Sequence, residues 1–130
     1  MKIASVRSAV LVLGIAIAAA CTNATGTTVV TGKQRPAIDP AQVQLYSSKP
    51  QTQHEVIALV KADSSSGWSD QQSMDYAVAE LKNQAASVGA NGVILGQTGS
   101  QTGGFVMIDN VAYPYDEQVV SGTAIFVAGQ

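Results

Sequence analysis

The side chains that could perform catalytic chemistry are few and scattered along this sequence. His54 is the only histidine among 130 residues, and Asp63 directly precedes the serine run Ser64–Ser66. A serine hydrolase would need the fold to gather such a nucleophile, base and acid, but no Gly-x-Ser-x-Gly signature surrounds these serines. We therefore expect His54 to be a solvated surface histidine, and we expect no enzymatic activity.

The sequence contains no recognisable metal or phosphate motif either. Zinc sites commonly use three or four ligands at characteristic spacing, which His54 and its neighbouring carboxylates lack. Asp109, Asp116 and Glu117 could form a weak calcium site, but a solvated acidic turn is favoured because no Asp-x-Asp-x-Asp-Gly loop is present. The polar stretch Gln97–Gly104 lacks the lysine of a phosphate loop and predicts a flexible hairpin connection. We expect no bound metal and no cofactor.

Three aromatic side chains are candidates for contact with another protein. Trp68 directly precedes the predicted helix, where it would either staple the helix to the sheet or stand exposed as an interaction residue. Tyr113 and Tyr115 flank Pro114 in a predicted turn, where they would form a contact at the tip of a loop.

Composition excludes two broad classes of function. Hydrophobic residues make up 46% of the chain and charged residues 12%, with a formal net charge of -2. An average globular chain has roughly 25% charged residues, so a disordered polyelectrolyte is excluded. The absence of a positive balance removes the main source of nonspecific affinity for nucleic acid, which is therefore not an expected partner.

The first twenty residues have the pattern of a secretory signal. Lys2 and Arg7 precede an uncharged apolar stretch, Val10–Ala20, that ends in three alanines. A permanent transmembrane anchor is the weaker alternative, because this stretch is shorter than the roughly 20 residues that cross hydrocarbon.

The junction Ala18-Ala19-Ala20-Cys21 resembles the lipobox of bacterial lipoproteins, with Ala18 at the position where leucine is usual. The resemblance implies cleavage between Ala20 and Cys21, followed by lipidation of Cys21. Thr22, in place of aspartate, implies sorting to the outer membrane facing the periplasm rather than retention at the inner membrane. Lipidation would account for an odd cysteine in an exported protein, whereas an unpaired cysteine behind an ordinary signal is the alternative.

The sequence behind the signal divides into two parts. Residues 21–42 are mostly small and polar, and Pro36 and Pro40 disfavour regular structure. They predict a lipidated N-terminus and flexible tether, with a short edge strand at Val29–Val30 as the alternative. Residues 43–130 carry the periodic apolar patterns of a single compact domain.

Within this domain, one helix and four or five strands are predicted. Ser69 and Gln72 form a capping box at the start of the helix, and Gly89 ends it. The predicted strands cover residues 43–46, 55–61, 93–95, 105–108 and 119–127. The order β-β-α-β-β-β predicts an α+β domain of two layers, with one main helix packed on a four- to five-stranded sheet.

The segment Tyr76–Ile94, reading YAVAELKNQAASVGANGVI, is followed by Val120–Ala124, reading VSGTA. Together they resemble the YbjQ-like family and the related domain of the Rcs stress-sensor lipoprotein. The resemblance implies a small α+β domain. YbjQ-like proteins form oligomeric rings and are labelled as heavy-metal binders, whereas the stress sensor contacts other envelope proteins. This chain lacks the sensor's bracing cysteines and lacks soft-metal ligands, so function is not carried across on fold alone.

These observations predict a non-catalytic lipoprotein of the bacterial envelope. An acylated Cys21 would hold it at the outer membrane, where its domain would act as a protein-interaction or stress-sensing module with an envelope protein as partner. The alternative is an oligomeric lipoprotein that binds a small ligand or a metal between its subunits. Whether the chain forms a homo-oligomer stays open.

Overall fold

The structure, a computed structural model, describes residues 23–129. The predicted signal segment 1–20, with Ala20, and the predicted lipidation residue Cys21 lie outside the described residues. The elements are β1 (Thr25–Val30), a 3-10 turn (Pro40–Gln42), β2 (Gln44–Tyr46), β3 (His54–Ser64), α1 (Asp70–Ser87), β4 (Gly92–Ile108) and β5 (Val111–Val127). The described chain is thus an α+β fold with one α-helix and a five-stranded sheet.

The sheet is mixed and has the strand order β1-β3-β5-β4-β2. Only β2 runs parallel to its neighbour, pairing with β4 over Gln44–Tyr46, and the other strand pairs are antiparallel. Along the chain, three strands precede the helix and two follow it, so the predicted order β-β-α-β-β-β is wrong.

The error in strand order has two sources: β1 precedes the predicted strands, and the polar stretch Gln97–Gly104, expected to be a flexible connection, lies inside β4. Its backbone continues the antiparallel ladder with β5, interrupted by register shifts after Leu95 and after Thr102. The backbone amide of Gln97 donates to the Ser121 hydroxyl at the first of these irregularities. Polar and glycine residues hide this strand from hydrophobic patterning because backbone pairing does not depend on the side chains.

The turn between β4 and β5 is Asp109–Asn110, not the predicted turn around Pro114, which lies within β5. Asp109 and Asn110 have φ values of 49° and 67°. Two consecutive left-handed residues match the twist of a two-residue hairpin, and Asp and Asn tolerate this conformation better than most residues.

The flexible tether expected over residues 21–42 is wrong from Thr25 onward, because Thr25–Val30 pairs with β3 as an edge strand. The alternative of a short edge strand at Val29–Val30 is confirmed. After β1, the amides of Arg35 and Ile38 donate to Val88 O and Ala86 O, each at 3.0 Å. Val88 O lies just beyond the helix, where carbonyls lack partners within the helix, whereas Ala86 O also accepts from the Gly89 amide. These bonds tie the proline-containing segment to the end of the helix.

The predicted helix is confirmed, with Ser69 as its N-cap. The Ser69 hydroxyl accepts from the Gln72 amide at 3.2 Å, and Gly89 follows the helix with a φ of 79°. The helix packs against β3 and β5 through a core dominated by alanine and valine. The largest fully buried side chains of the described chain are Ile57, Leu81, Val93, Val120 and Ile125.

Candidate functional site

The residues considered for catalysis do not come together. His54 begins β3 and Ser64 ends it, so about ten residues of extended chain, roughly 30 Å, separate them. His54 Nδ1 lies 2.9 Å from Thr52 O, and the Ser64 hydroxyl donates to Asn23 O. Asp63 accepts from the Thr25 hydroxyl across the β1–β3 pair. Each of these groups has a local structural partner, and no triad forms.

The acidic residues considered for calcium are also separated. Asp109 lies in the turn at the tip of the β4–β5 hairpin, whereas Asp116 and Glu117 lie further back along β5. Glu117 accepts from the Gln101 side-chain amide of the neighbouring strand. Within residues 23–129, no group of three or more His, Cys, Asp or Glu side chains is arranged to hold a metal ion.

Trp68 is 98% exposed in the loop between β3 and α1, so the stapling role is excluded. Its backbone amide donates to the Gln72 side-chain oxygen at 2.6 Å. The Gln72 side chain therefore caps the backbone N–H of Trp68, one residue before the N-cap. The indole itself projects into solvent. The side chain is available for contact with a partner.

A more extended feature is the outer part of the β4–β5 hairpin. β3 ends at Ser64 opposite Gln118, so from Glu117 outward the only described strand beside β5 is β4. We call residues 101–117 the hairpin arm. It projects roughly 25 Å past the end of β3 at about 3.3 Å per residue.

The hairpin arm carries most of the large exposed apolar side chains of the described chain. Phe105 is 66% exposed, Met107 64% and Tyr113 51%. Val106, Ile108, Val111 and Tyr115 are also exposed. Together they form an extended exposed apolar surface, unlike the singly scattered apolar residues that are normal on a monomer.

These side chains cover both faces of the arm. Phe105 lies opposite Pro114, and Met107 opposite Ala112, on one face. Val106 lies opposite Tyr113 on the other face, where Tyr115 and Ile108 also lie. Since side chains alternate along a strand, neither face of the arm is polar near its tip, unlike a hairpin with one face in water.

The two edges of the arm differ in chemistry. β2 reaches only to Ile94, so beyond that residue β4 has no described strand on its outer side. β4 contains no charged residue and no proline from Gly92 to Ile108. On β5 the corresponding edge carries Pro114, Asp116 and Glu117. Proline and charge commonly protect strand edges from pairing, and only the β5 edge has them.

The arm and the start of the described chain lie at the same end of the sheet. Thr25 pairs with Asp63, next to the end of β3 from which the arm projects. In sequence, Cys21 precedes Thr25 by four residues, which span at most about 14 Å.

A second surface lies on the sheet. A depression of about 430 Å³ is lined by residues of β1, β3, β4 and β5, among them Val29, Leu59 and Lys61. Val29 and Leu59 are more than half exposed there. This surface is broad and shallow and has a lysine at its border, so it offers contact area but no enclosed binding site.

Sequence reasoning identified Tyr113 and Tyr115 but missed the apolar residues that the fold places beside them. Phe105–Ile108 was interpreted as an ordinary strand, although its four consecutive apolar residues do not alternate. An Asp-Asn pair after this run and a second apolar start at Val111 were the available hairpin signals. Trp68 lies in a different loop from the tyrosines.

Comparisons with known proteins show a likeness of fold to one solved structure. No protein family and no curated protein matches this chain. The fold is similar to the crystal structure of a Francisella virulence factor, FvfA, at 23% identity and a TM-score of 0.53. The likeness covers 78% of this chain and 97% of that one. At this identity it supports a shared fold alone.

Proposed function

We propose that this chain is a non-catalytic lipoprotein of the bacterial envelope, anchored at the outer membrane through Cys21, whose domain binds a protein partner through the hairpin arm. The observation that carries the binding role is the arm itself, because its apolar side chains are exposed on both faces and its β4 edge carries neither proline nor charge. Extended exposed apolar patches mark interaction surfaces in soluble domains.

The anchoring part of the proposal is supported by the sequence pattern before Cys21 and by the position of the chain start. In the described residues, no helix has both the length and the apolar character needed to cross a membrane. Two or more acyl chains on Cys21 would supply stable attachment. The arm would then emerge beside the anchor, close to the bilayer surface.

Anchoring is tested by the mass of the mature protein and by its fractionation. We expect membrane-extracted protein to have the mass of residues 21–130 plus acyl chains, and Cys21→Ser to prevent lipid attachment. Labelling with radioactive palmitate should mark the parent chain and not Cys21→Ser. An unlabelled parent chain of unmodified mass would refute the anchor.

Binding through the arm is tested by a photoreactive amino acid placed at Tyr113. We expect a discrete crosslinked species on intact cells, because Tyr113 is half exposed among other apolar side chains. The matched control is the same amino acid at Asn83, an exposed position in the second half of α1, which runs toward the opposite end of the sheet from the arm. Equal crosslinking from both positions, or none from Tyr113, would refute the arm as a binding surface.

A further inference from the structure

We propose that the partner of the hairpin arm is a second copy of this chain, with the two β4 edges paired antiparallel about a two-fold axis at Val106. This inference rests on the proposed function, because it names the partner of the same surface. It is carried by the free backbone groups of the β4 edge and by the distribution of charge on the arm.

The hydrogen-bond pattern of the hairpin determines which backbone groups are free. Ile108 and Val111 close the two-residue turn and form a hydrogen-bonded pair, so bonded and non-bonded pairs alternate along the arm from that point. The pairs Met107–Ala112 and Phe105–Pro114 are then non-bonded, and their backbone groups point outward. Pro114 lies in one of these non-bonded pairs, so its missing N–H removes no hydrogen bond from the hairpin.

The β4 edge can therefore pair with an identical edge in one favourable register. With the axis at Val106, Phe105 of one copy lies opposite Met107 of the other, and each such pair exchanges two backbone hydrogen bonds. Val106 lies opposite its own counterpart in a non-bonded pair, where the Cα atoms are about 4.5 Å apart. Ile108 falls opposite Gly104, which the Tyr115 ring of the same copy covers, so Ile108 would pack against that ring.

Charge favours this edge over the other one. Because β4 has no charged residue, two β4 edges bring no like charges together. Two β5 edges would instead bring together Asp116 and Glu117, and Pro114 would remove a donor. In the proposed register, Asp109 falls opposite Gly103 of the second copy and away from that copy's own Asp109.

The same charges disfavour a lipid surface as the occupant of the arm. The arm contains Asp109, Asp116 and Glu117 but no lysine or arginine. Asp109 lies at the tip, where insertion of the arm would bring a carboxylate into the bilayer at a cost of several kcal/mol. Anionic headgroups would repel this acidic arm.

Pairing also supplies what the isolated arm lacks. A two-stranded hairpin without a covering layer is marginally stable in water, whereas four strands made from two arms form a wider sheet with extended apolar faces. Attachment to one membrane would raise the effective concentration of the two copies.

The experiment is disulfide crosslinking of the full chain in intact envelopes with a mild oxidant. Val106→Cys places two thiols across the axis, within the Cα separation that a disulfide requires. The control is Tyr113→Cys, which lies opposite Val106 at the same height on the other strand. We expect a disulfide-linked dimer from Val106→Cys, on the order of tenfold more abundant than from Tyr113→Cys.

A second measurement tests the register. Phe105→Cys and Met107→Cys are expressed together on chains with different tags, and we expect the mixed disulfide to exceed either homodimer. Three results would each overturn the proposal that the partner is a second copy. These are monomer alone from Val106→Cys, equal amounts of dimer from Val106→Cys and Tyr113→Cys, and a disulfide to a protein of different mass. Mixed and homodimeric species in statistical ratio would overturn the axis at Val106.

The unsubstituted chain separates this inference from the proposed function. Its only thiol is at Cys21, which lipidation would block, so we expect no crosslinked product from it. Crosslinking of the unsubstituted chain would contradict the lipid anchor. If the unsubstituted chain gives no crosslinked product and Val106→Cys gives only monomer, the pairing of two copies is contradicted while the lipid anchor is not.

Discussion

At the scale of single residues, the fold depends on small side chains that let α1 lie close to the sheet. Ala77 and Ala85 on the helix and Ala58, Ala62 and Ala124 on the strands are fully buried. Such a core contains few large side chains, so each of them carries a large share of the buried apolar area. Leu81 is the largest of these on the helix.

We expect Leu81→Ala to lower the free energy of unfolding by about 2 to 5 kcal/mol, through lost transfer energy and the cavity left behind. Urea denaturation followed by circular dichroism measures the change. The matched control is Trp68→Ala, which removes a larger side chain that is 98% exposed and should change stability by less than about 0.5 kcal/mol. A larger loss for Trp68→Ala than for Leu81→Ala would contradict the packing described.

Gly89 is required both by its conformation and by its surroundings. Its φ is 79°, and a Cβ there would lie 2.7 Å from the carbonyl oxygen of Arg35. The left-handed conformation alone costs a non-glycine residue about 1 to 2 kcal/mol. We expect Gly89→Ala to destabilise the protein by more than Gly129→Ala, since Gly129 has a similar φ of 81° but no neighbour within 4 Å. Equal thermal unfolding of the two variants would show that the contact with Arg35 is unimportant.

At the scale of elements, β4 and β5 each serve two structural environments. Their inner parts pack in the core, where Val93, Val120 and Ala124 are fully buried. Their outer parts form the hairpin arm, which pairs with no other described strand. We therefore expect the arm to open at a lower free energy than the core of the sheet, because local stability follows the density of buried contacts.

The turn controls this local equilibrium. Asn110 has a φ of 67°, which a β-branched residue strongly disfavours. We expect Asn110→Val to speed hydrogen exchange across the arm and to leave exchange in α1 and β3 unchanged. Asn110→Gly is the control, because glycine adopts this conformation freely and should preserve protection. Faster exchange in α1 with Asn110→Val would mean that the arm and the core unfold together.

At the scale of the whole molecule, the fold separates stability from the proposed binding role. The helix and the inner parts of the strands form the core, and the arm projects beyond it. The arm also lies at the end of the sheet where the described residues begin. A lipid on Cys21 would thus place the binding surface and the membrane on the same side of the domain.

Removal of the arm tests this separation. Deleting residues 105–115 joins Thr102 and Asp116, which are paired in the sheet, through Gly103-Gly104. This leaves a two-residue glycine turn of the kind that closes hairpins. We expect the free energy of unfolding to change by no more than about 1 kcal/mol, since the deleted side chains are mostly exposed. Loss of cooperative unfolding in a denaturant titration would show that the arm contributes to the core.

The amino-acid sequence was sufficient to predict the local features of this protein. Ser69, Gln72 and Gly89 identify the ends of the helix, because capping and left-handed residues act within a few positions. The short strand at Gln44–Tyr46 and the buried strand from Glu55 also follow from local apolar patterns. The lipobox-like junction before Cys21 is a prediction of the same local kind.

Only the tertiary structure decided where polar and isolated segments pair. Thr25–Val30 becomes a strand because β3 offers it an edge, and Gln97–Gly104 because β5 lies opposite. It also showed that His54 and Ser64 are at opposite ends of one strand, and that Phe105 and Tyr113 share one exposed arm. Strand pairing joins backbone groups far apart in sequence, so side-chain periodicity within one segment cannot specify it.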